Sequence, residues 1–269
     1  MARPPGLKSG GRGLGSGMLR AVGLLLLCGL SLQLYFVARI GLMAGVAPQS
    51  TTFQRSEIWR LAVDKQQVAW AQSWVDDARI ADTLKRAVIA SEDAGFVEHS
   101  GVEWDALEKA WEKNQRAEAA AGRRQAQLEK RPAPATGGKP RPVVEPKLVG
   151  GSTISQQLAK NLFLSGERTA LRKAQEFVLT LALEALLGKR RILEIYLNNV
   201  EWGEGLFGAQ AAARHYFRID AARLDSAAAA RLAVMLPAPK RFEKNPGSAY
   251  VSGRAATIVA RMGAVALPR

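Results

Sequence analysis

A mainly α-helical domain behind a single N-terminal transmembrane helix is the architecture this chain predicts, and three observations predict it. Ala21 to Ala38 form an apolar run in which Ser31 and Gln33 are the only strong polar groups. The rest of the chain shows almost no period-two alternation of apolar and polar residues, the pattern of a half-buried strand. Apolar residues recur instead at helical spacing, as in Ile80, Leu84, Ala87 and Val88, and alanine-rich stretches follow at Ala209 to Tyr216 and Ala221 to Leu236.

The apolar run comes first in the chain. Arg20 precedes it, Arg39 follows it, and Ile40 to Val46 extend its apolar character. Roughly 20 such residues, at about 1.5 Å each, cross a hydrocarbon core. We assign residues 1–20 to a basic tail, 21–45 to the membrane helix and 55–269 to the outer domain. The tail carries Arg3, Lys8, Arg12 and Arg20 and no acid, so basic-flank asymmetry keeps it cytoplasmic. A cleaved signal peptide has a shorter core, and Ala44 to Ala47 suggest a cleavage site only weakly.

The formal net charge is +14, which favours an anionic partner; the membrane anchor argues against nucleic acid. The single cysteine, Cys28, lies inside the apolar run, so no intramolecular disulfide forms and the outer domain relies on its core.

Beyond Trp59, Trp70 and Trp74, the helix starting near Ile80 delivers Glu92 and Asp93 at its C-terminal end. Trp104 and Trp111 share a helical face suited to core or membrane-interface packing. Composition then changes over residues 114–147, with five of the twelve prolines and eight Lys or Arg against three acids. Such a stretch buries little apolar surface, and it reads as a mobile basic insertion, either a solvated loop or a grip on lipid head groups.

Gly150 and Gly151 permit a tight turn, and Thr153 with Gln156 has capping-box spacing, so a helix opens here with free amides that can accept an anion. Lys160, Arg168, Arg172 and Lys173 follow within a short span, which makes phosphate binding the leading reading of the block. Thr169 to Leu187 is apolar around its axis and is expected to run through the domain centre. Glu176 within it reads either as a functional carboxylate or as a buried ion pair with Arg172, one turn earlier. Lys189 to Asn199 forms another helix with Ile192, Ile195 and Tyr196 inward. Gly203, Gly205 and Gly208 mark a bend, and the later helices stop at Pro237 and Pro239. Glu184 and Glu194 read as packing and ion-pairing groups, and His215 as structural or surface. No His or Cys cluster forms a metal cage.

Four blocks carry a resemblance: Glu92-Asp93-x-x-Phe96-x-x-His99-x-Gly101, Gly150-Gly151-Ser152-Thr153-Ile154-x-Gln156-Gln157, Arg172-Lys173-x-x-Glu176, and Ile192-Leu193-Glu194-x-Tyr196-Leu197-Asn198. In this order they resemble the signature blocks of the peptidoglycan glycosyltransferases, over roughly Arg79 to Met262. One anchor with no transpeptidase domain after the match resembles the monofunctional branch. The resemblance implies a lysozyme-like helical glycosyltransferase domain that polymerises lipid II at a bacterial inner membrane, with the domain in the periplasm. It also implies contact with the growing glycan strand, membrane lipids and divisome or other cell-wall synthesis proteins.

Joining a sugar hydroxyl to a sugar bearing a pyrophosphate needs a base for the hydroxyl and positive charge for the leaving group. By position, Glu92 resembles the family's base, which takes the proton from the acceptor 4-hydroxyl as it attacks the donor anomeric carbon with inversion. Glu176 resembles the second carboxylate, which assists departure directly or through a divalent cation. Lys160 and Arg168 match the cations that hold the pyrophosphate, and Ser152, Thr153, Gln156, Gln157, Arg172 and Lys173 line the groove. Asp93, Phe96 and His99 support the Glu92 loop. No cofactor is required, Mg²⁺ or Mn²⁺ bridging the pyrophosphate being the one candidate ion, held by carboxylate and pyrophosphate oxygens.

Two rivals share these residues. A lysozyme-like hydrolase uses a buried glutamate as an acid beside a second carboxylate and has no need of four cations. A membrane-anchored scaffold would keep the fold without turnover.

Overall fold

The computed structural model describes residues 13–129, 151–167 and 169–269 and divides into two units, residues 1–46 and 47–269. In the first, helix α1 (Gly13–Leu42) contains a 26-residue stretch, Gly17–Leu42, long and apolar enough to cross a membrane. At about 1.5 Å per residue it spans about 39 Å, more than a hydrocarbon core of about 30 Å requires.

The second unit begins before residue 55, the boundary that composition suggested. Thr51 caps α2 (Thr52–Asp64) in a capping box with Gln54, and the Thr52 hydroxyl donates to the Leu162 carbonyl at 2.9 Å. That long-range bond ties the segment to the domain. After β1 (Ala71–Gln72) come α3 (Asp82–Glu92), α4 (Trp104–Glu129), α5 (Ile154–Phe163), α6 (Ala170–Leu186) and α7 (Lys189–Asn199). The chain continues through β2 (Glu201–Gly203), β3 (Leu206–Phe207), α8 (Ala209–Phe217), α9 (Ser226–Met235), α10 (Pro239–Phe242) and α11 (Ala249–Met262). The domain is mainly helical, as its periodicity predicts.

Two packed groups of helices position the site. α3 lies against α9 and α11, where Leu84, Val88 and Ile89 meet Ala229, Leu232, Ala233, Val251 and Ile258, all buried. The alanines of α9 let the helix axes approach closely. α5 lies against α2, α6 and α7, burying Ile154, Leu158 and Leu162 with Leu179, Leu183 and Ile195. Trp202, Tyr196, Phe96 and Phe207 are the largest fully buried side chains. Each contributes roughly 1.5–3 kcal/mol of apolar burial on its own.

Where the glycine-marked bend was expected, β1, β3 and β2 form a small sheet in that order, β1 parallel and β2 antiparallel to β3. Strands of two and three residues are too short to show alternation. Gly205, at φ +69°, is obligatory here, because a Cβ would lie 2.0 Å from the Ala69 carbonyl oxygen.

Four expectations change. α6 does not run through the domain centre: Leu179, Thr180 and Leu183 are buried, but Leu171, Val178, Leu181 and Leu186 face outward. Trp104 and Trp111 are also exposed, so core packing does not explain them. The irregular segment expected from residue 114 is helical through Glu129, since α4 carries good helix formers on to that point; the rest of the 114–147 insertion, from 130, lies outside the described residues. Ala221 to Leu236 is a 3₁₀ turn at Ala221–Arg223 followed by α9, because the Asp225 side chain caps a new helix by accepting from the Ala228 amide.

Candidate active site

The site forms where the C-terminal end of α3 meets the N-terminal half of α5. α3 ends at Glu92, and the Asp93 amide closes its last turn on the Ile89 carbonyl at 2.9 Å. The Asp93 carboxylate then bridges two elements. One oxygen pairs with His99 Nε2 at 2.8 Å, and the other accepts from the Ile154 amide, the first residue of α5, at 2.9 Å. A carboxylate at a helix N-terminus is favoured by the free amides and the helix dipole. The Gly101 amide donates to His99 Nδ1 at 3.0 Å, which leaves Nε2 as the protonated nitrogen that donates to Asp93.

Gly101 has φ +89°, and a Cβ there would come within 2.8 Å of Glu184 and Thr180 side-chain atoms. Its carbonyl accepts from the Thr153 hydroxyl at 2.6 Å. Phe96 is fully buried under the loop, with Lys189 Nζ 4.5 Å from its ring centroid. Lys189 also pairs with Glu184 at 2.7 Å, and Ser155 donates to the same carboxylate. Asp93 and His99 bond within the loop that follows Glu92 and Phe96 is buried beneath it.

Capping takes up three of the amides at this helix start, those of Thr153, Ile154 and Gln156. The Thr153 hydroxyl accepts from the Gln156 amide, the Gln156 side chain accepts from the Thr153 amide, and Asp93 occupies the Ile154 amide. Thr153 and Gln156 are buried and shape α5 without lining a groove, and the anion at this helix start is the chain's own aspartate. Ser152 and Gln157 are partly accessible. Gln157 Nε2 donates to Glu92 at 3.1 Å and to the Ser152 carbonyl at 3.4 Å, and its oxygen accepts from the Tyr196 hydroxyl at 2.9 Å. Burial pushes the Glu92 carboxyl above its ordinary range; hydrogen bonds from Gln157 and Ser91 oppose that, and neighbouring Asp93 adds to it.

One turn further along α5, Lys160 lies within electrostatic range of a second carboxylate, Glu176. Glu176, almost fully buried on α6, pairs with Arg172 at 2.7 Å and with Lys173 at short range. Although Lys160 keeps an accessible side, burial of its ammonium lowers its pKa; Glu176 opposes the shift, while Arg172 and Lys173 reinforce it. Lys160 and Arg172 line a cavity of about 260 Å³ with Phe53, Ser56, Asn161 and Leu164. Ser165, Gly166 and the acidic Glu167 line the same cavity. Arg172 Nε is buried with no hydrogen-bond partner, a free donor at this place. Arg168 lies outside the described residues.

The ion-pair reading of Glu176 is the one the contacts show, since it pairs with both Arg172 and Lys173. One of its oxygens pairs with Arg172 and the other with Lys173. Asp93, His99 and Glu103 bring potential ligand atoms within 4.8 Å of one another, but Asp93 and His99 are engaged by each other and by the Ile154 and Gly101 amides. Glu194 pairs with Arg191 and accepts from the Asp77 amide, and His215 is exposed, in line with their structural readings. Sequence reasoning placed Tyr196 inward but missed its bond to Gln157, for which a buried tyrosine's need of a hydroxyl partner was the only signal.

Comparison with known proteins adds independent findings. A family model described as Transglycosylase matches residues 61–124 and 143–263, and the break between them falls inside the basic insertion. A biosynthetic peptidoglycan transglycosylase of Paraburkholderia phytofirmans is 45% identical over 240 residues, 89% of this chain and 88% of that protein. One from Burkholderia pseudomallei is 48% identical over 239 residues, 89% and 83% of the two chains. One from Herminiimonas arsenicoxydans is 47% identical over 239 residues, 89% and 92%.

Proposed function

Because the chain belongs to the transglycosylase family, we propose that its paired stations along α5 polymerise lipid II, Glu92 serving the acceptor sugar and the Lys160 cluster the donor diphosphate. The enzyme is a peptidoglycan glycosyltransferase with a lysozyme-like helical domain. The observation that carries the mechanism is the order along one helix: Gln157 donates to Glu92, and Lys160, one turn on, shares a cavity with Arg172, the partner of Glu176.

Glu92 takes the proton from the acceptor 4-hydroxyl. The oxygen so freed forms a bond to the donor anomeric carbon with inversion, while the bond from that carbon to the diphosphate oxygen breaks and polyprenyl pyrophosphate leaves. A carboxyl whose burial raises its proton affinity is a better base than an exposed glutamate, provided it is ionised at the working pH. Lys160 and Arg172, with Lys173 beside them, neutralise the departing charge. Arg168 matches the family position for a further cation. Glu176 holds Arg172 and Lys173 in place, so its effect on departure runs through them. No step is routed through a metal ion.

The membrane helix fits a single-pass anchor. The four basic residues before it support a cytoplasmic N-terminus and a periplasmic catalytic domain at the bacterial inner membrane. The test is to incubate the full-length protein in detergent with lipid II. Lysozyme-sensitive glycan with released polyprenyl pyrophosphate supports the reading; cleavage of finished glycan would mean a hydrolase, and no turnover a scaffold.

A further inference from the structure

We propose that Tyr196 is a positioning residue of the reaction: its hydroxyl fixes the Gln157 side-chain amide so that an N–H donor is presented to the Glu92 carboxylate. The inference rests on Glu92 being the base. A buried tyrosine needs a hydrogen-bond partner whatever its function. What sets Tyr196 apart is that its partner, Gln157, is itself the donor to Glu92.

An amide has a donor end and an acceptor end, and three contacts agree on which way Gln157 points. Its nitrogen faces two acceptors, Glu92 Oε2 and the Ser152 carbonyl, and its oxygen faces the Tyr196 hydroxyl. Tyr196 is 1% exposed, and burial, with the nearby charges of Glu92 and Asp93, keeps its hydroxyl protonated and therefore able to donate. Without that hydroxyl, Gln157 Oε1 is left unpaired beside the core, at a desolvation cost. The amide recovers a partner by turning over or by swinging away from Glu92. Turned over, it presents an acceptor, which suits only protonated Glu92. Either movement removes a bond that favours the ionised base.

The groups acting on Glu92 are Gln157 from α5 and Ser91 and Asp93 beside it in sequence, with Tyr196 from α7 next in line; among the described residues none comes from α9 or α11, which pack on α3. Loss of the Gln157 donor raises the proton affinity of Glu92. The ascending limb of the pH–rate profile therefore moves to higher pH.

The experiment is the pH profile of lipid II polymerisation by full-length Tyr196→Phe. Below the limb its rate falls about tenfold, equivalent to a limb displaced by about one pH unit, and the gap closes as pH rises. A uniform loss at every pH, or an unchanged profile, would overturn the inference, since a packing role predicts no displacement. If Tyr196→Phe loses its thermal unfolding transition, a fluorinated tyrosine at position 196, which alters the donor strength of the hydroxyl, is measured in its place and displaces the limb if the inference holds and leaves it fixed if it is wrong; Gln157→Leu, which removes the donor itself, is measured beside it. Where both variants fold, Tyr196→Phe must shift the limb no further in a Gln157→Leu background, and additive shifts contradict the relay. An active Glu92→Gln protein would defeat the base assignment itself, a different result from an inactive Glu92→Gln with an unshifted Tyr196→Phe.

Discussion

Gln157 and Lys160 lie three residues apart on one face of α5, and each serves a different carboxylate: Gln157 donates to Glu92 at 3.1 Å, while Lys160 sits in the field of Glu176. Side chains at this spacing are neighbours on a helix surface, about 5–6 Å apart at Cβ. One rigid helix thus sets the separation between Gln157 at Glu92 and Lys160 at the cavity, the two places that the proposed function assigns to the acceptor and the donor. Asp93 fixes the same helix to the end of α3, so the base and the cations share a frame.

Lys160→Ala removes a cation from the donor cavity and leaves the fold unchanged. A charge-assisted contact contributes about 1.5–3 kcal/mol, so the rate at limiting lipid II should fall roughly ten- to hundredfold. The parent should also lose more activity on raising salt than the variant does, because screening acts on the missing charge. Initial rates across a salt series check this; parallel curves for the two proteins contradict the role.

Asp93→Asn disrupts the link between α3 and α5. The asparagine oxygen can still accept from His99, but its amide then faces the Ile154 N–H, donor against donor. A buried unsatisfied donor costs about 1–3 kcal/mol, and at about 2–4 °C per kcal/mol the melting temperature should drop by roughly 2–12 °C, with a lower polymerisation rate. Calorimetry with rate measurements on the same samples decides it. An unchanged melting temperature would show that the bridge is not structural.

Glu201 gives a prediction away from the site. Burial is the main cause that raises its pKa to about 7; nearby Glu57 and Glu243 add to this, and Lys240, whose ammonium lies 3.4 Å from its Oε1, opposes it. Because the folded value lies above the ordinary 4.5, Glu201 lowers stability as pH rises from about 4.5 to about 7, and the cost is fully present above that window. A shift of this size corresponds to about 3 kcal/mol. Glu201→Gln should therefore be more stable than the parent at pH 8 by up to that amount and no more stable at pH 4.5. Chemical denaturation at the two pH values checks the sign.

The parts of the site that follow local rules were legible in the sequence. Thr153 and Gln156 form the capping box that their spacing predicts, and Glu92 stands at a helix end because the apolar face of α3 runs out there. Pairing of Arg172 with Glu176 follows from one-turn spacing. Long-range contacts could not be read in the same way. The Tyr196–Gln157 bond spans 39 residues, and the two amides that a ligand might have used are taken by Asp93 and Thr153 through tertiary placement. The outward face of α6 was misread because a helix that is apolar all round carries no mark of which side meets its neighbours. The small sheet escaped notice because two or three residues cannot establish a period.

If Glu92 is the base and the Lys160 cluster binds the diphosphate independently of it, the two roles separate in a single variant. Glu92→Gln keeps the volume and removes the proton acceptor, so the direct measurement is lipid II binding and polymer formation by this variant in parallel. The account predicts binding within a few-fold of the parent and polymerisation reduced by about 10² to 10⁴, the usual span of general-base catalysis. Polymer formation at near-parental rate would contradict it.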